Sequence, residues 1–331
     1  QAALNASHQL DPQASRWALI RIAPGLYRER LLMRRNKVVL AGSGLDRTVL
    51  QYPILRAEFL RQQAGTAAAT LPRGAALSAD WGAAVVNIAA SDIALLDLTV
   101  HNSFALENPQ HPARFDHQFA VRGFEKASRI ITDRSVFATN GADTVSLWNK
   151  ADGMYYHSRS YFSGRVDLFC PRGSALVVDS DFVNHKATAT LWHDGELDEN
   201  ASVVVLRSNF HGVSGFPLGR RHYDGQFLLL ANSYSAQLAD TPIYRVTYPA
   251  EPARNQPNRY GDRNWFYQSR GPAYSWLVDR LPTQGPLATI APLLLPSDSP
   301  GSLVFGGRWH PEQQLAQIRQ WLQSAPSGQQ R

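Results

Sequence analysis

Cysteine is nearly absent: Cys170 is the only one in 331 residues. No intrachain disulfide can form, and no metal site can be built from cysteines. Cys170 lies in an apolar run, so it reads as a small buried hydrophobe rather than a nucleophile. Charge is sparse too. Asp, Glu, Lys and Arg make up 18% of the chain, below the usual quarter, which favours many short strands joined by turns over long surface helices. No apolar run reaches the roughly 18 residues that a membrane span needs. There is no block of consecutive Lys or Arg. The net charge of +6 therefore points to an acidic polysaccharide or an anionic membrane before nucleic acid. No His-x-His or His-Glu-x-x-His pattern occurs, which argues against a zinc site. No Gly-x-Ser-x-Gly elbow occurs, which argues against an α/β-hydrolase esterase. A signal peptide is missing and Gln1 is not a natural start. The expectation is a chain that begins after a removed leader or partway into its first coil.

What is present reads as short strands. Residues 1–16 form a helical or loop lead-in. Trp17–Ala23 alternates with period two and stops at Pro24-Gly25, a turn signal. Gly42-Ser43-Gly44 is followed by neither a helical pattern nor Gly-Lys-Ser/Thr, so it reads as a tight turn and not a phosphate loop. Residues 57–77, rich in Ala and Gln, read as a loop or a loosely packed insertion. From Ala84 a weak repeat runs through Leu98-Thr99-Val100, Arg134-Ser135-Val136, Arg159-Ser160-Tyr161, Ser180-Asp181-Phe182, Ser208-Asn209-Phe210 and Asn232-Ser233-Tyr234. Such a repeat suits a parallel β-helix, in which each coil stacks its apolar residues on the next; its uneven spacing also permits a sandwich or a propeller. His101–His117 is a polar, Pro-containing excursion, which in a solenoid falls on one face, often the binding face. Residues 282–300 read as a connection, and Pro311–Leu322 as an amphipathic helix with Leu315, Ile318 and Leu322 on the face that packs.

Gln118, Asp143 and Asp167 lie one coil apart, since 143 − 118 = 25 and 167 − 143 = 24. In a β-helix all three side chains project from one face, on strands about 4.7–4.9 Å apart. Two carboxylates that close disfavour each other's ionisation. One stays ionised and the other is held as an acid, the arrangement of acid/base sites. A polar ladder on a solenoid surface, with Asp favoured at turns, is the alternative reading.

Several pieces of the chain resemble the pectin methylesterase (pectinesterase) family, in the manner of an atypical bacterial member. IAPGLYRERLLM followed by VVLAGSGLDRTVL is similar to the family's opening. HQFAVRG, GADT, YFSGRVD and PLGRR then follow in the family's order. The stretch NRYGDRNWFYQSRGPAYSWLVDRL, ending at Leu281, resembles a later aromatic segment of bacterial members. The resemblance covers about residues 17–280. It implies one domain over 1–331: an all-β, right-handed parallel β-helix with a C-terminal extension over 282–331. It also implies a secreted or periplasmic carboxylic ester hydrolase, monomeric and without a cofactor or metal, acting on a methyl-esterified pectic polysaccharide.

Carried over by position, Asp167 matches the nucleophile and Asp143 the general acid/base. Gln118 matches a glutamine that donates to the oxyanion, and Arg220 the arginine paired with the nucleophile. The chain departs from the pattern at Ala142, where a second oxyanion glutamine is expected. It departs again at Arg221-His222, where the pattern has Pro-Trp. Tyr223, Trp148 and Trp192 are the candidates to replace that aromatic platform. Arg165, Arg172, Arg220, Arg221 and Lys186 read either as ordinary solvated charge or as binders of galacturonate carboxylates, which arginine suits by its forked donors, and His222 is a further substrate-binding candidate. Two other functions stay open: a β-helix that binds carbohydrate with weakened catalysis, which Ala142 favours, and an esterase or thioesterase on a non-pectic acyl group. A lyase on the same fold would need a calcium-binding acidic cluster, and none with recognisable spacing is present.

Overall fold

The computed structural model describes residues 1–65, 79–193, 200–222, 224–255 and 257–324. The candidate Tyr223 lies outside the described residues. Short runs of β-branched and aromatic residues, separated by single turn residues, wind into a right-handed parallel β-helix. Among the described residues it has three sheets, of nine, eight and eight strands. Each strand pairs in parallel with the corresponding strand of the next coil, as in Ile130–Asp133 on Met154–Ser158, Tyr161–Gly164 on Asp181–Asn184 and Val145–Leu147 on Phe169–Pro171.

Alternation along each strand sends one set of side chains into the solenoid. Phe137, Phe162, Phe182, Phe210 and Tyr234 stack there coil upon coil. Successive ring centroids lie 5.7, 4.9, 4.7 and 5.3 Å apart, with interplanar angles of 27°, 13°, 6° and 23°. The triplet repeat is this corner of the coil, with one correction. The stacked residues are Phe137 and Phe162, one position on from Val136 and Tyr161. Beside them runs a polar ladder in which the Ser160, Ser180 and Ser208 backbone N–H groups donate to Ser180 Oγ, Ser208 Oγ and Asn232 Oδ1 at 3.0, 3.1 and 2.8 Å. It satisfies backbone donors that the corner takes out of the sheet ladder.

Gly42 sits where the chain passes closest to the next coil, since a Cβ there would meet Asp97 O at 2.3 Å, and the turn itself follows at 45–47. Helix Ala2–Leu10 precedes the first strand. The stretch expected to be a loop from residue 57 begins as helix Arg56–Gly65, because Ala and Gln favour helix even without an apolar period. The expected connection at 282–300 holds helix Pro286–Leu294 and the start of Pro300–Val304, each with Pro in its first turn. The last helix, Pro311–Ser324, lays Leu315 and Ile318 on the outer face of the nine-stranded sheet. Arg319 pairs with Asp97 and Asp133 there.

Candidate active site

The site lies on the outer face of the third sheet, beside the corner where the chain arrives from the second. Two isolated parallel bridges set its register: His117 pairs with Ala142, and Ala142 with Val166. The next residues on these coils are Gln118, Asp143 and Asp167, and their N–H groups donate to Ala142 O, Val166 O and Ala189 O at 3.1, 2.8 and 2.7 Å. The two unequal spacings have a physical cause. Ala120 N and Val121 N both donate to Thr144 O, at 2.9 and 3.1 Å. This β-bulge adds one residue to the first coil, so the pairing offset falls from 142 − 117 = 25 to 145 − 121 = 24. Asp143 and Asp167 take left-handed backbone angles, with φ of 62° and 50°, a region that Asp tolerates better than bulkier residues.

Asp167 is 5% exposed. Arg220 donates to it with both arms of its fork, Nε to Oδ1 at 3.0 Å and Nη2 to Oδ2 at 2.6 Å. The guanidinium reaches Asp167 from two coils away by crossing the Trp192 ring, 5.0 Å from its centroid. The Asp167 carboxyl is raised from 3.8 to about 6: burial pushes it up, the Asp143 charge adds to that, and Arg220 offsets part of the rise. Burial lowers Arg220, but its bonds to Asp167 outweigh that and raise it overall.

Asp143 rests on a polar floor. Ser146 Oγ donates to its Oδ2 at 3.4 Å, and the Cys170 thiol faces the same oxygen at 3.7 Å. Ser146 accepts from Arg122 Nη1 at 2.6 Å and from Trp148 Nε1 at 3.0 Å. Arg122, fully buried, also pairs with Asp80 at 3.0 Å, and burial lowers it to about 10. Arg172 Nη1 donates to Cys170 Sγ at 2.9 Å, and burial pushes the thiol up, so Cys170 is an inert part of the floor. Sequence reasoning missed Arg122 and Ser146 and read Cys170 only as buried. The signal was present: 146 − 122 = 24 and 170 − 146 = 24, the spacing of the aspartates.

Of the residues expected at the site, Asp143, Asp167, Arg220, Trp148 and Trp192 gather here. Three expectations need correction. Gln118 keeps the predicted register, but its side chain is fully buried, with its amide packed beside Gly141. Its Oε1 accepts from Ala105 N at 3.3 Å and its Nε2 donates to Arg114 O at 2.5 Å, so it fastens the 101–117 excursion to the solenoid. Arg221 follows Arg220 on one strand, so alternation turns it inward. It is fully buried, paired with Asp262 and with Asn258 Oδ1 at 2.8 Å. Trp192 and Trp148 are not open platforms. Arg220 covers the first, and the Arg122 and Arg172 guanidinium groups lie over the second at 4.2 and 4.0 Å.

The rims differ. On one, Arg165 and Arg114 stack on Phe115 at 4.0 and 4.4 Å; no described carboxylate pairs with either. Burial lowers Arg165, and its neighbour Arg114 lowers it further. On the other, the His222 ring lies 6.1 Å from that of Trp192 and 5.3 Å from that of Tyr248, and its Nε2 is 3.1 Å from Arg254 O.

No family model matches the chain, and no curated protein matches its sequence. Solved structures do match it. A pectin methylesterase crystallised with a hexasaccharide is 18% identical, with a TM-score of 0.65 over 94% of this chain and 93% of that one. The pectin methylesterase of Erwinia chrysanthemi gives the same values. That of carrot is 16% identical, with a TM-score of 0.62 over 90% of this chain and 86% of that one. At these identities the likeness is one of fold, and the chain shares the right-handed parallel β-helix of the pectin methylesterases.

Proposed function

We propose that the chain is a carboxylic ester hydrolase that removes methyl esters from galacturonate units of a pectic polysaccharide, with release of methanol. The observation that carries this reading is the in-register pair Asp143 and Asp167, on adjacent coils, with Arg220 forked onto Asp167. Arg220 keeps Asp167 ionised and fixes its orientation. The Asp167 carboxylate attacks the ester carbonyl, and the tetrahedral intermediate collapses as Asp143 gives its proton to the departing methoxide. The resulting acyl-Asp167 is hydrolysed by water that Asp143 deprotonates, which restores both carboxyls. The steps call on no cofactor.

Arginines on the aromatic ring at one rim of the cleft, Arg165 and Arg114 on Phe115, suit a sugar that carries carboxylates better than a neutral one. A polysaccharide substrate implies work outside the cytoplasm. No helix among the described residues is long and apolar enough to cross a membrane. The test is methanol release from highly methylated pectin by the native chain and by Asp167→Asn. Release by the native chain alone supports the reading. No release from methylated homogalacturonan or from branched pectic fractions overturns it, in favour of a binding role or another acyl substrate.

A further inference from the structure

Attack on an ester carbonyl puts negative charge on its oxygen, and a hydrogen-bond donor placed there is among the largest contributions to acyl-transfer catalysis. Neither residue expected to supply that donor does so. Gln118 is buried on Ala105 and Arg114, and Ala142 carries no donor. Most other donors around the carboxylates are committed, and the Trp192 Nε1–H, which has no partner among the described residues, is buried beneath Arg220 and out of reach of a substrate. Arg220 is on Asp167. The Ser146 hydroxyl and the Cys170 thiol face Asp143. Trp148 N–H is on Ser146, and Arg122 is on Asp80 and Ser146.

His117 is different. Its backbone pairs directly with Ala142, so its ring stands beside the side chain that is too short. The imidazole is 52% exposed, and its Nε2 lies 4.0 Å from Asp143 Oδ1, beyond hydrogen-bond reach. Neither ring nitrogen has a hydrogen-bond partner among the described residues. It sits at the exposed edge of Asp143, the acid/base of the proposed reaction.

We propose that His117 donates the oxyanion hydrogen bond that the site otherwise lacks. The inference rests on the reading of the chain as an ester hydrolase. The imidazolium and the neutral tautomer protonated at Nε2 both present an N–H at this point. The position fits chain geometry: one coil below Asp143, a long polar side chain reaches past Ala142, as a glutamine at 142 would reach from its own coil.

The experiment is steady-state methanol release from highly methylated pectin by native, His117→Ala, His117→Gln and Asp167→Asn chains, with thermal melts of each. His117→Ala should lower kcat by roughly 10²–10³-fold, the loss seen when one oxyanion donor is removed, with KM and melting temperature little changed. His117→Gln, which restores an N–H donor, should recover part of the loss. An active native chain whose kcat is unaffected by His117→Ala overturns the assignment and leaves the hydrolase reading standing. A loss confined to KM also overturns it. A native chain inert on pectin overturns both.

Discussion

The inner corner of the coils and the outer face of the third sheet are built by the same turns of chain on opposite rules. In the corner every coil repeats itself: Phe137, Phe162, Phe182, Phe210 and Tyr234 stack, and Ser160, Ser180, Ser208 and Asn232 hold the turns. On the outer face no coil repeats its neighbour. The row runs Arg122, Ser146, Cys170, Trp192, Arg220 and Tyr244. Repetition gives stacking and uniform register. Variation on that fixed register gives chemistry, since a carboxylate on one coil can be served by an arginine from two coils on. The corner is the ruler and the outer face is what is measured against it.

The sharpest separation of the two regions is Asp167→Asn. Methanol release should fall by at least about 10⁴-fold, as expected for removal of a nucleophile, while the chain still folds and melts cooperatively. The converse is Phe182→Ala. It removes a fully buried ring from between two others and should cost about 3–5 kcal/mol of stability, with kcat per folded molecule unchanged. A Phe182→Ala chain that is fully folded yet slow would show that the stack tunes the site as well as holding it. Between them lies Arg220→Lys, which keeps the charge and loses the fork. Losing one charge-assisted bond of about 1.5–3 kcal/mol should lower kcat by roughly one to two decades. Unchanged kcat would show that charge alone suffices at Asp167.

The same division decides what the sequence discloses. Repetition is legible, so the corner triplets and the spacing of Asp143 and Asp167 can be read from residue identities and intervals, while the choice of a β-helix over a sandwich or a propeller came with the family resemblance. Its phase is harder. Tyr161 and Phe162 both suit a stacked position, and only the strand pairing tells which points inward. The same ambiguity of one residue separates Arg220, on the cleft, from Arg221, buried against Asp262. Gln118 illustrates a different limit. Its spacing places the backbone, but its side chain is claimed by Ala105 and Arg114 of the excursion, and no interval along the chain records that contact. The helix Pro286–Leu294 was hidden because its two prolines, Pro286 and Pro292, read as linker, although a first-turn proline is compatible with helix.

The smallest effect concerns Asp167 alone and puts the two regions in opposition. Its carboxyl is raised by burial from 3.8 to about 6. The nucleophile works ionised, so kcat/KM should climb as pH rises through about 6. Stability moves the other way. The folded chain binds this proton more tightly than the unfolded one, so the contribution is present in full below 3.8 and lost as pH rises through about 6. Asp167→Asn mimics the protonated carboxyl and removes the titration. Thermal melts of both chains from about pH 4 to pH 7 isolate the effect. The melting temperature of the native chain should drop relative to the variant over the interval in which its activity appears. A difference that stays flat across that interval would mean Arg220 fully offsets the burial of the carboxylate. The charged site would then place no load on the register that the aromatic corner maintains.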